Sequence, residues 1–366
     1  MEPKIRFKGF EGEWKALPIT EIASLKAGKS FNKLDAVDTP TTGYYPCYGG
    51  NGQRGYLPYY NQNGKYNIIG RQGALCGCVN VAEGKFYATE HAVIVTPITV
   101  TDFEFLHESL VRANINQYAT GAAQPGISVT NVNSQLSLNY PLYKEQKAIG
   151  KYFTSLDSQI SASTSRLASL KQMKAASLQA MFPQEGETVP KVRFKGFEGE
   201  WKSLKIGDIA PLQRGYDLPT HSIIKGSIPV VYSNGILRFH NIGKCQAPAI
   251  VTGRSGTIGK FTYIDQGEYW PHNTSLWVTS FHENYPRFVY YLFQNVGFEK
   301  YATGSGVPTL NRNDIHKHII SIPSNIEEQR AIANYFTSLD RQITLQTQRL
   351  EKLKQIKSAC LDKMFV

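Results

Sequence analysis

Several features that mark other classes of protein are missing from this 366-residue chain. It contains no apolar run of about 18 residues and its polar start does not resemble a signal peptide, so neither a membrane span nor secretion is expected. Its five cysteines are odd in number and form no Cys-x-x-Cys pair, which argues against a disulfide framework and a zinc site. We therefore expect a cytoplasmic protein with reduced thiols and no membrane partner.

Motifs that carry bond chemistry are also missing. Residues 23–30 approach a P-loop, but Ala23 stands where the motif needs glycine. Residues 50–55 spell Gly-x-Gly-x-x-Gly, yet Pro58 prevents a helix from opening after them, so a turn is expected there. The histidines lack the paired spacing of metal ligands. We expect no catalysis and no bound metal in this chain.

Positive charge is in excess. Forty Lys and Arg residues against 29 Asp and Glu residues give a net charge of +11 and a pI near 9.2. Such an excess favours polyanionic partners, nucleic acid before anionic membranes. The length fits two domains that each bury a core of their own.

Two blocks of sequence occur twice. Residues 3–15 return at 190–202 with one change, Ile5 to Val192, and the block Glu-Gln-x-Ala-Ile-x-x-Tyr-Phe-Thr-Ser-Leu-Asp occupies 145–157 and 328–340. A repeat period near half the chain indicates two large modules, not a solenoid of many units. Two modules can present two equivalent surfaces to a partner with two similar sites.

The two copies differ most in one segment. They align with a shift of 187 residues up to Gly28 and with a shift of 183 residues from Gly70 onward. Four residues of length difference, and most of the sequence difference, therefore fall in Lys29–Ile69 and Tyr216–Thr252. Surface loops tolerate such variation and commonly carry binding specificity, so we expect the specificity of each module to lie in these segments.

Residues 145–182 and 328–365 predict two long helices. Apolar residues recur along both at the heptad spacing of a coiled coil. Polar residues interrupt the two seams at matching places, Ser163 with Gln346 and Lys174 with Lys357, and such residues can fix register or orientation. The seam residues chosen as the spacer coiled coil are Leu156, Ile160, Leu167, Leu170, Leu339, Ile343, Leu350 and Leu353.

Each long helix would extend for roughly 55 Å at about 1.5 Å per residue. One such helix leaves an apolar stripe exposed, and the other helix is its obvious partner. An antiparallel pair is favoured; a parallel pair, or two helices that each pack on their own domain, stay open. Ser324 followed by Glu327 predicts a capping box at the start of the second helix.

The predicted fold class is α+β: two pseudo-symmetric, mixed α/β modules separated by two long antiparallel helices that form a coiled-coil spacer. Short apolar runs between turn residues predict strands at 66–69, 92–95, 249–252 and 275–278, and residues 103–114 and 287–295 predict helices. The predicted domains are a first recognition module at 1–144, a central helix at 145–182, a linker at 183–189, a second recognition module at 190–323 and a C-terminal helix at 324–366.

Gly-Arg-x-Gly occurs at 70–73 and again at 253–256, each time after a predicted strand. Glycine lets the backbone approach a ligand closely, and Arg71 or Arg254 could then reach a phosphate or a guanine edge. The alternative is a tight turn with a solvated arginine. Amide, hydroxyl and guanidinium groups near the divergent segments also suit base edges. The candidate DNA-binding residues are Tyr48, Asn51, Gln53, Arg54, Arg71, Gln72, Ser233, Asn234, Arg254, Ser255, Lys260, Asn311 and Arg312.

Four motifs occur twice and in the same order: Arg-Phe-x-x-Phe-x-x-x-Trp, Gly-Arg-x-Gly, Tyr-Ala-Thr-Gly, and Glu-Gln-x-x-Ile-x-x-Tyr-Phe-x-x-Leu-Asp. Each is loose by itself, but their repeated order is specific. Over essentially its full length the chain resembles the specificity (S) subunits of type I DNA restriction–modification systems.

The resemblance implies two target-recognition domains, each reading one half of a split sequence in double-stranded DNA. It implies that the long helices set the unread gap and dock two methyltransferase subunits, and that restriction subunits join them. S-adenosylmethionine, Mg and ATP would belong to those partners, which methylate adenine and cleave DNA, and this chain would hold no cofactor. Two other interpretations stay open: the recognition subunit of another methylation-type system, and a coiled-coil scaffold that does not contact DNA.

Overall fold

A computed structural model of the chain describes residues 2–73, 75–121, 125–304 and 306–366. Two compact units divide these residues: unit 1 comprises Met1–Thr164 and Gln348–Val366, and unit 2 comprises Ser165–Thr347. The limits of the units fall inside the two long helices. The domain limits inferred from the sequence stay a prediction.

The elements of unit 1 follow one another along the chain in an order that unit 2 repeats. The first set is β1 (Lys15–Pro18), α1 (Ile19–Ile22), β2 (Ala23–Ala27), β3 (Tyr45–Gly49), β4 (Gly52–Leu57), β5 (Gln62–Asn63), β6 (Tyr66–Gly70), β7 (Val79–Ala82), β8 (Lys85–Ala88), β9 (Ala92–Pro97), α2 (Phe103–Arg112), β10 (Ala119–Thr120), β11 (Gly126–Ile127), α3 (Val129–Gln135), β12 (Ser137–Tyr140) and the long helix α4 (Tyr143–Met181), which continues into unit 2.

The second set is β13 (Lys202–Lys205), α5 (Ile206–Ile209), β14 (Leu212–Arg214), β15 (Ile228–Tyr232), β16 (Gly235–His240), β17 (Cys245–Gln246), β18 (Ala249–Gly253), β19 (Phe261–Ile264), β20 (Glu268–Pro271), β21 (Ser275–Val278), α6 (Pro286–Val296), β22 (Ala302–Thr303), β23 (Thr309–Leu310), α7 (Arg312–Lys317), β24 (Ile319–Ile322) and the long helix α8 (Ile326–Met364). The strands predicted at 66–69, 92–95, 249–252 and 275–278 and the helices predicted at 103–114 and 287–295 are confirmed within a few residues.

The sheet topology of the two units is the same over the described residues. In unit 1 one sheet has the order β2-β9-β6-β7 and a second has the order β4-β3-β8-β5; in unit 2 these become β14-β21-β18-β19 and β16-β15-β20-β17. The pairing of β3 with β8 and of β15 with β20 is parallel, and the other pairings of these sheets are antiparallel. The predicted fold class, α+β with two similar modules, is confirmed.

The length difference between the copies falls in one connection. Residues 28–44 join β2 to β3, whereas 215–227 join β14 to β15, a connection four residues shorter. The divergent segments otherwise build the same strands in both units. Sequence divergence has therefore changed the side chains on a common frame and left the frame in place.

The core of each unit is built on aromatic rings that come from distant parts of the chain. In unit 1, Phe365 stacks on Phe105 at 5.4 Å and packs edge-on against Trp14 at 6.2 Å. In unit 2, Phe182 stacks on Phe336 at 6.0 Å and packs edge-on against Trp201 at 6.3 Å. The phenylalanine that follows each long helix thus completes a core together with the tryptophan of a repeated block.

The two repeated blocks bind each other within each unit. Arg6 donates from Nε to Glu145 Oε1 at 2.7 Å and from Nη2 to Glu145 Oε2 at 2.8 Å, while Nη1 donates to the Gly12 carbonyl at 2.6 Å. Arg193 and Glu328 repeat this two-bond ion pair at the same two distances in unit 2. The carboxylates of Glu145 and Glu328 are each only 2% exposed, so the arginine satisfies a buried charge. We refer to these pairs as the Arg–Glu clamps.

The glutamine that follows each clamp glutamate positions a second helix. Gln146 accepts a hydrogen bond from the Asp102 backbone NH at 3.1 Å, directly before α2, and donates to the Pro141 carbonyl at 3.0 Å. Gln329 does the same with the Tyr285 NH and the Pro323 carbonyl, at 2.8 and 2.9 Å. The repeated Glu-Gln pair therefore joins the start of the long helix to the amino-terminal segment and to the shorter helix of its module.

The long helices are antiparallel within each unit, as the sequence predicted. Lys357 Nζ, near the end of α8, contacts Asp157 Oδ1 of α4 at 2.7 Å and Glu108 Oε1 of α2 at 2.8 Å. Lys174 Nζ, near the end of α4, contacts Asp340 Oδ1 of α8 at 2.7 Å. Burial disfavours the ammonium form, but the bonds to Asp157 and Glu108 outweigh it and raise the pKa of Lys357. The lysines that interrupt the seams are thus the residues that fix the register.

The predicted seam faces inward along both helices. Five of its eight residues are buried: Leu156, Leu170, Leu339, Leu350 and Leu353. The other three are half-buried: Ile160, Leu167 and Ile343.

The predicted capping box at Ser324 is wrong. α8 begins at Ile326, and the Asn325 side chain accepts the hydrogen bond from the Glu327 NH at 2.9 Å. Asparagine caps a helix as well as serine does, and here it occupies the position next to the first helical residue.

Replacing Arg6 by leucine should lower the free energy of unfolding by about 3 kcal/mol, because Glu145 would stay buried without its cation. Lysine at this position should also destabilise the protein, since an ammonium cannot form two parallel bonds to a carboxylate. Urea unfolding followed by circular dichroism measures both effects. Lys8→Leu, an exposed change in the same block, is the control. Equal stability of Arg6→Leu and Lys8→Leu would contradict a role for the clamp.

Candidate nucleic-acid interface

A β-hairpin forms the tip of the second sheet in each unit. In unit 1, β3 and β4 are joined by Gly50 and Asn51; in unit 2, β15 and β16 are joined by Ser233 and Asn234. Both hairpins carry a bulge close to the loop. The bulged residue is Arg54 on β4, next to the pair Tyr48–Gln53, and Leu237 on β16, next to the pair Val231–Ile236. The structure therefore places Asn51 and Asn234 at equivalent loop positions. Bulges bend a strand and re-aim its side chains, and they are frequent beside functional sites.

The Gly-Arg-x-Gly segment lies directly beneath this loop. A Cβ atom at Gly70 would overlap the Gly50 carbonyl oxygen of the hairpin loop. A Cβ atom at Gly253 would overlap the Thr257 carbonyl oxygen and would lie 3.1 Å from the Ser233 carbonyl oxygen of the hairpin loop. Only glycine permits this approach. The close packing brings Arg71 and Gln72 beside the first hairpin, and Arg254 and Ser255 beside the second.

Arg71 forms one wall of a cleft in unit 1. Its backbone NH donates to the His91 carbonyl at 2.8 Å, and its guanidinium donates to the carbonyls of Ile127 at 3.1 Å and Glu90 at 3.5 Å. Gln72 pairs with Gly126 through a β-bridge. The cleft has a volume of about 420 Å³ and is also lined by Ser128. Arg71 thus holds the cleft together as well as lining it.

Arg254 lines the equivalent cleft of unit 2, which has a volume of about 670 Å³. Its backbone bonds repeat those of Arg71, to Thr274 at 2.9 Å and from Leu310 at 2.8 Å. Within the described part of the chain, the structure gives its guanidinium no hydrogen-bond partner. This side chain is the better placed of the two arginines to bind an external anion or base edge.

Two further candidates, Asn311 and Arg312, line the same cleft of unit 2. The Asn311 side-chain oxygen caps α7 by accepting from the Asn313 NH at 3.0 Å, which leaves its amide NH₂ group to face the cleft. Arg312 is the first residue of α7 and is exposed. Ser305, which precedes them in the sequence, lies outside the described residues.

The other candidates are placed unequally. Gln53 and Arg54 are exposed on β4, and the Arg54 guanidinium lies 5.7 Å from the centre of the Phe31 ring. Tyr48 packs edge-on against Phe86 at 5.5 Å, and burial raises the pKa of its hydroxyl. Lys260 Nζ donates to the Asn234 carbonyl at 2.6 Å. Gln53 and Arg54 are available to a ligand, Tyr48 supports the sheet, and Lys260 brings a positive charge to the second hairpin loop.

The sequence analysis missed two residues of the unit 2 cleft, Arg214 and Tyr216. The Arg214 guanidinium lies 4.0 Å from Asp217, and Lys244 Nζ lies 5.3 Å from the centre of the Tyr216 ring. The signal was present in Arg214-Gly215-Tyr216, which stands where the first copy has Ala27-Gly28-Lys29. Asp217 offsets the charge of Arg214. The second cleft is the more basic of the two because both Arg254 and Arg312 line it, whereas Arg71 of the first cleft is accompanied by Glu90.

Metal and membrane sites find no support in the described residues. In that part of the chain, no group of three or more His, Cys, Asp or Glu side chains could hold a metal ion. Neither the long helices nor any other described helix has the length and apolar character needed to cross a membrane. The His272 ring packs 4.2 Å from the Tyr232 ring, and burial lowers its pKa, which fits a structural histidine.

Two copies of one frame, each with variable amide and guanidinium groups on a hairpin and a cleft, define a two-module recognition protein. Comparison with known families identifies it further. The sequence model of the family described as type I restriction modification DNA specificity domain matches residues 11–172 and 198–355. The chain belongs to this family.

A curated relative agrees with the assignment. The chain is 38% identical over 154 residues to the specificity subunit of the type I restriction enzyme EcoprrI from Escherichia coli. The match covers 42% of this chain and 38% of that protein, well under half of the relative's length.

Solved structures support the fold. The S subunit of a type I restriction–modification system from M. genitalium matches with a TM-score of 0.77, over 100% of this chain and 99% of that one, at 17% identity. A chain from a study of complex assembly and conformational transition in a type I restriction–modification system matches with a TM-score of 0.55, over 97% of this chain and 98% of that one, at 13% identity.

Replacing Arg254 by alanine is expected to weaken duplex DNA binding by about 1–3 kcal/mol and to leave thermal unfolding unchanged. Arg71→Ala should also lower the unfolding temperature, because it removes two partly buried side-chain hydrogen bonds to the carbonyls of Ile127 and Glu90. Binding titrations at fixed salt and melting curves separate the two effects. Arg166→Ala, an exposed arginine of α4, is the control for loss of charge. Normal affinity in both cleft variants would favour the tight-turn interpretation of Gly-Arg-x-Gly.

Proposed function

We propose that this chain is the DNA-reading specificity subunit of a type I restriction–modification enzyme, and that each unit reads one half of a split target in double-stranded DNA. The observation that carries the proposal is the same hairpin and cleft in both units with different side chains on them. A conserved frame with exchanged polar groups suits two half-sites of different sequence. The family assignment and the curated relative support the same role.

The affinity for DNA and the choice of DNA sequence would come from different residues. The net charge of +11 supplies attraction to phosphates without regard to sequence. The amide and guanidinium groups of Asn51, Gln53, Arg54 and Arg254 suit hydrogen bonding to base edges in the major groove.

The helices would act as a spacer and a docking surface. The Lys357–Asp157 and Lys174–Asp340 contacts hold the helix pair in one register within each unit, and a fixed register is what a ruler requires. Two methyltransferase subunits would bind the repeated surfaces, and restriction subunits would join them. The study behind one of the similar structures concerns assembly of such a system, which supports partner subunits in general.

The chemistry would belong to those partners. S-adenosylmethionine, Mg and ATP would bind to the methyltransferase and restriction subunits, which methylate adenine and cleave DNA in the cytoplasm. This chain would contribute the choice of sequence and no catalytic group.

Co-expression with its methyltransferase in a methylation-free host should produce methyladenine in both halves of one split motif. Single-molecule sequencing of the host genome measures this, and omission of the chain should abolish the pattern. If the two proteins associate but no motif is methylated, the scaffold interpretation gains over DNA recognition.

Removing one heptad from each helix, residues 162–168 and 345–351, should shorten the unread gap by about three base pairs. Seven residues correspond to about 10 Å of helix, and one base pair to about 3.4 Å. The deletions preserve the heptad seam and spare both Lys–Asp contacts. Methylation mapping reads the gap and the half-sites together. An unchanged gap, or altered half-sites, would contradict the ruler.

A further inference from the structure

Strand β16 of unit 2 exposes large apolar side chains. Ile236 is 43% exposed, Leu237 is 57% exposed and Phe239 is 52% exposed. β16 is the edge strand of its sheet, where unpaired backbone and apolar surface invite association. Ile236 pairs with Val231 and Phe239 with Pro229, so these two side chains project from one face, and Leu237 sits at the bulge. We call these three residues the apolar hairpin face.

The fold does not require aliphatic side chains at two of these three positions; the third, Phe239, corresponds to the half-buried Tyr56 of unit 1. In unit 1 the equivalent hairpin carries Gln53 where Ile236 stands and Arg54 at the bulge where Leu237 stands. Both of these side chains are exposed as well. The same exposed positions therefore hold hydrogen-bonding groups in one unit and aliphatic groups in the other, and the shared backbone frame does not account for the difference.

The charge around the apolar hairpin face indicates a polyanionic occupant. From Leu218 to Ile264 the chain contains Lys225, Arg238, Lys244, Arg254 and Lys260 and no Asp or Glu. Arg238 is exposed on β16 itself, and Lys260 reaches the hairpin loop. An apolar surface within a uniformly basic segment fits duplex DNA, whose phosphates attract the lysines and arginines.

Duplex DNA offers one apolar feature to a strand in its major groove, the C5-methyl group of thymine. We propose that unit 2 recognises its half-site through contacts of Ile236, Leu237 and Phe239 with thymine methyl groups, whereas unit 1 recognises its half-site through hydrogen bonds from Gln53 and Arg54. This inference rests on the proposed function, and it specifies the chemistry by which the two half-sites are told apart. It requires at least one A·T pair in the unit 2 half-site.

The test uses the full chain in complex with its methyltransferase and a duplex that carries the mapped target. Thymines are replaced by deoxyuridine, which removes the methyl group alone, in one half-site, in the other, or in the unread gap. Each duplex is titrated against the native complex, the unit 2 variant I236S/L237S and the matched unit 1 variant Q53S/R54S. All four altered side chains are exposed, and melting curves verify that the variants are folded.

Deoxyuridine in one half-site should weaken binding by the native complex by about three- to tenfold, and this loss should disappear in I236S/L237S and persist in Q53S/R54S. If removal of the methyl groups and the I236S/L237S substitution have non-additive effects on binding, the methyl groups and the apolar hairpin face interact directly. Deoxyuridine in the gap should have no effect.

The outcomes separate this inference from the function on which it rests. A complex that binds no DNA overturns both. If the complex binds its target specifically but deoxyuridine has no effect, or has an effect that persists in I236S/L237S, only the methyl contact is overturned. If I236S/L237S binds DNA normally but no longer binds the methyltransferase, the apolar hairpin face is a protein-docking surface. That result would also overturn the methyl contact.

Discussion

The buried two-bond ion pair between the two repeated blocks is the interaction on which each unit depends. Arg6 reaches Glu145 at the start of α4, and Arg193 reaches Glu328 at the start of α8, with the same geometry. Each pair fixes the amino-terminal segment on the long helix, where a buried tryptophan, Trp14 or Trp201, enters the aromatic core. A buried carboxylate tolerates no loss of its cation, which accounts for the presence of both the arginine and the glutamate in each copy.

The same frame supports different surface chemistry in the two units. Glycines at the Gly-Arg-x-Gly segment keep the hairpin loop against the end of the preceding strand, so the frame is held by backbone packing. The exposed hairpin positions are then free to vary, with Gln53 and Arg54 on one side and Ile236 and Leu237 on the other. Separation of the shared frame from the exposed hairpin positions lets the two units carry different side chains on the same backbone.

Local patterns predicted much of the fold. The heptad seam gave the long helices, and short apolar runs between turns gave strands such as β6 and β21, because periodicity and turn residues act over a few neighbours. Helix ends were less secure: Asn325 caps α8 although Ser324 fits the motif better. The candidate residues of the hairpin and of the Gly-Arg-x-Gly segment were inferred separately from the sequence; the structure brings them together, and their role in binding stays a prediction. The difference between the two arginines was not predicted: the Arg71 guanidinium donates to the carbonyls of Ile127 and Glu90, whereas over the described residues the Arg254 guanidinium has no hydrogen-bond partner.

By itself, the sequence determined the duplication, the family resemblance, the element types and the segment free to differ, all of which are properties of order and spacing along the chain. Only the tertiary structure determined which residues contact one another. Glu145 lies 139 residues from Arg6, and Asp157 lies 200 residues from Lys357, yet both pairs are in direct contact. It also decided which candidates are exposed and that β16 carries an apolar face. Burial and pairing arise from packing between segments that are remote in sequence, and a local sequence pattern does not determine which remote segment packs against it.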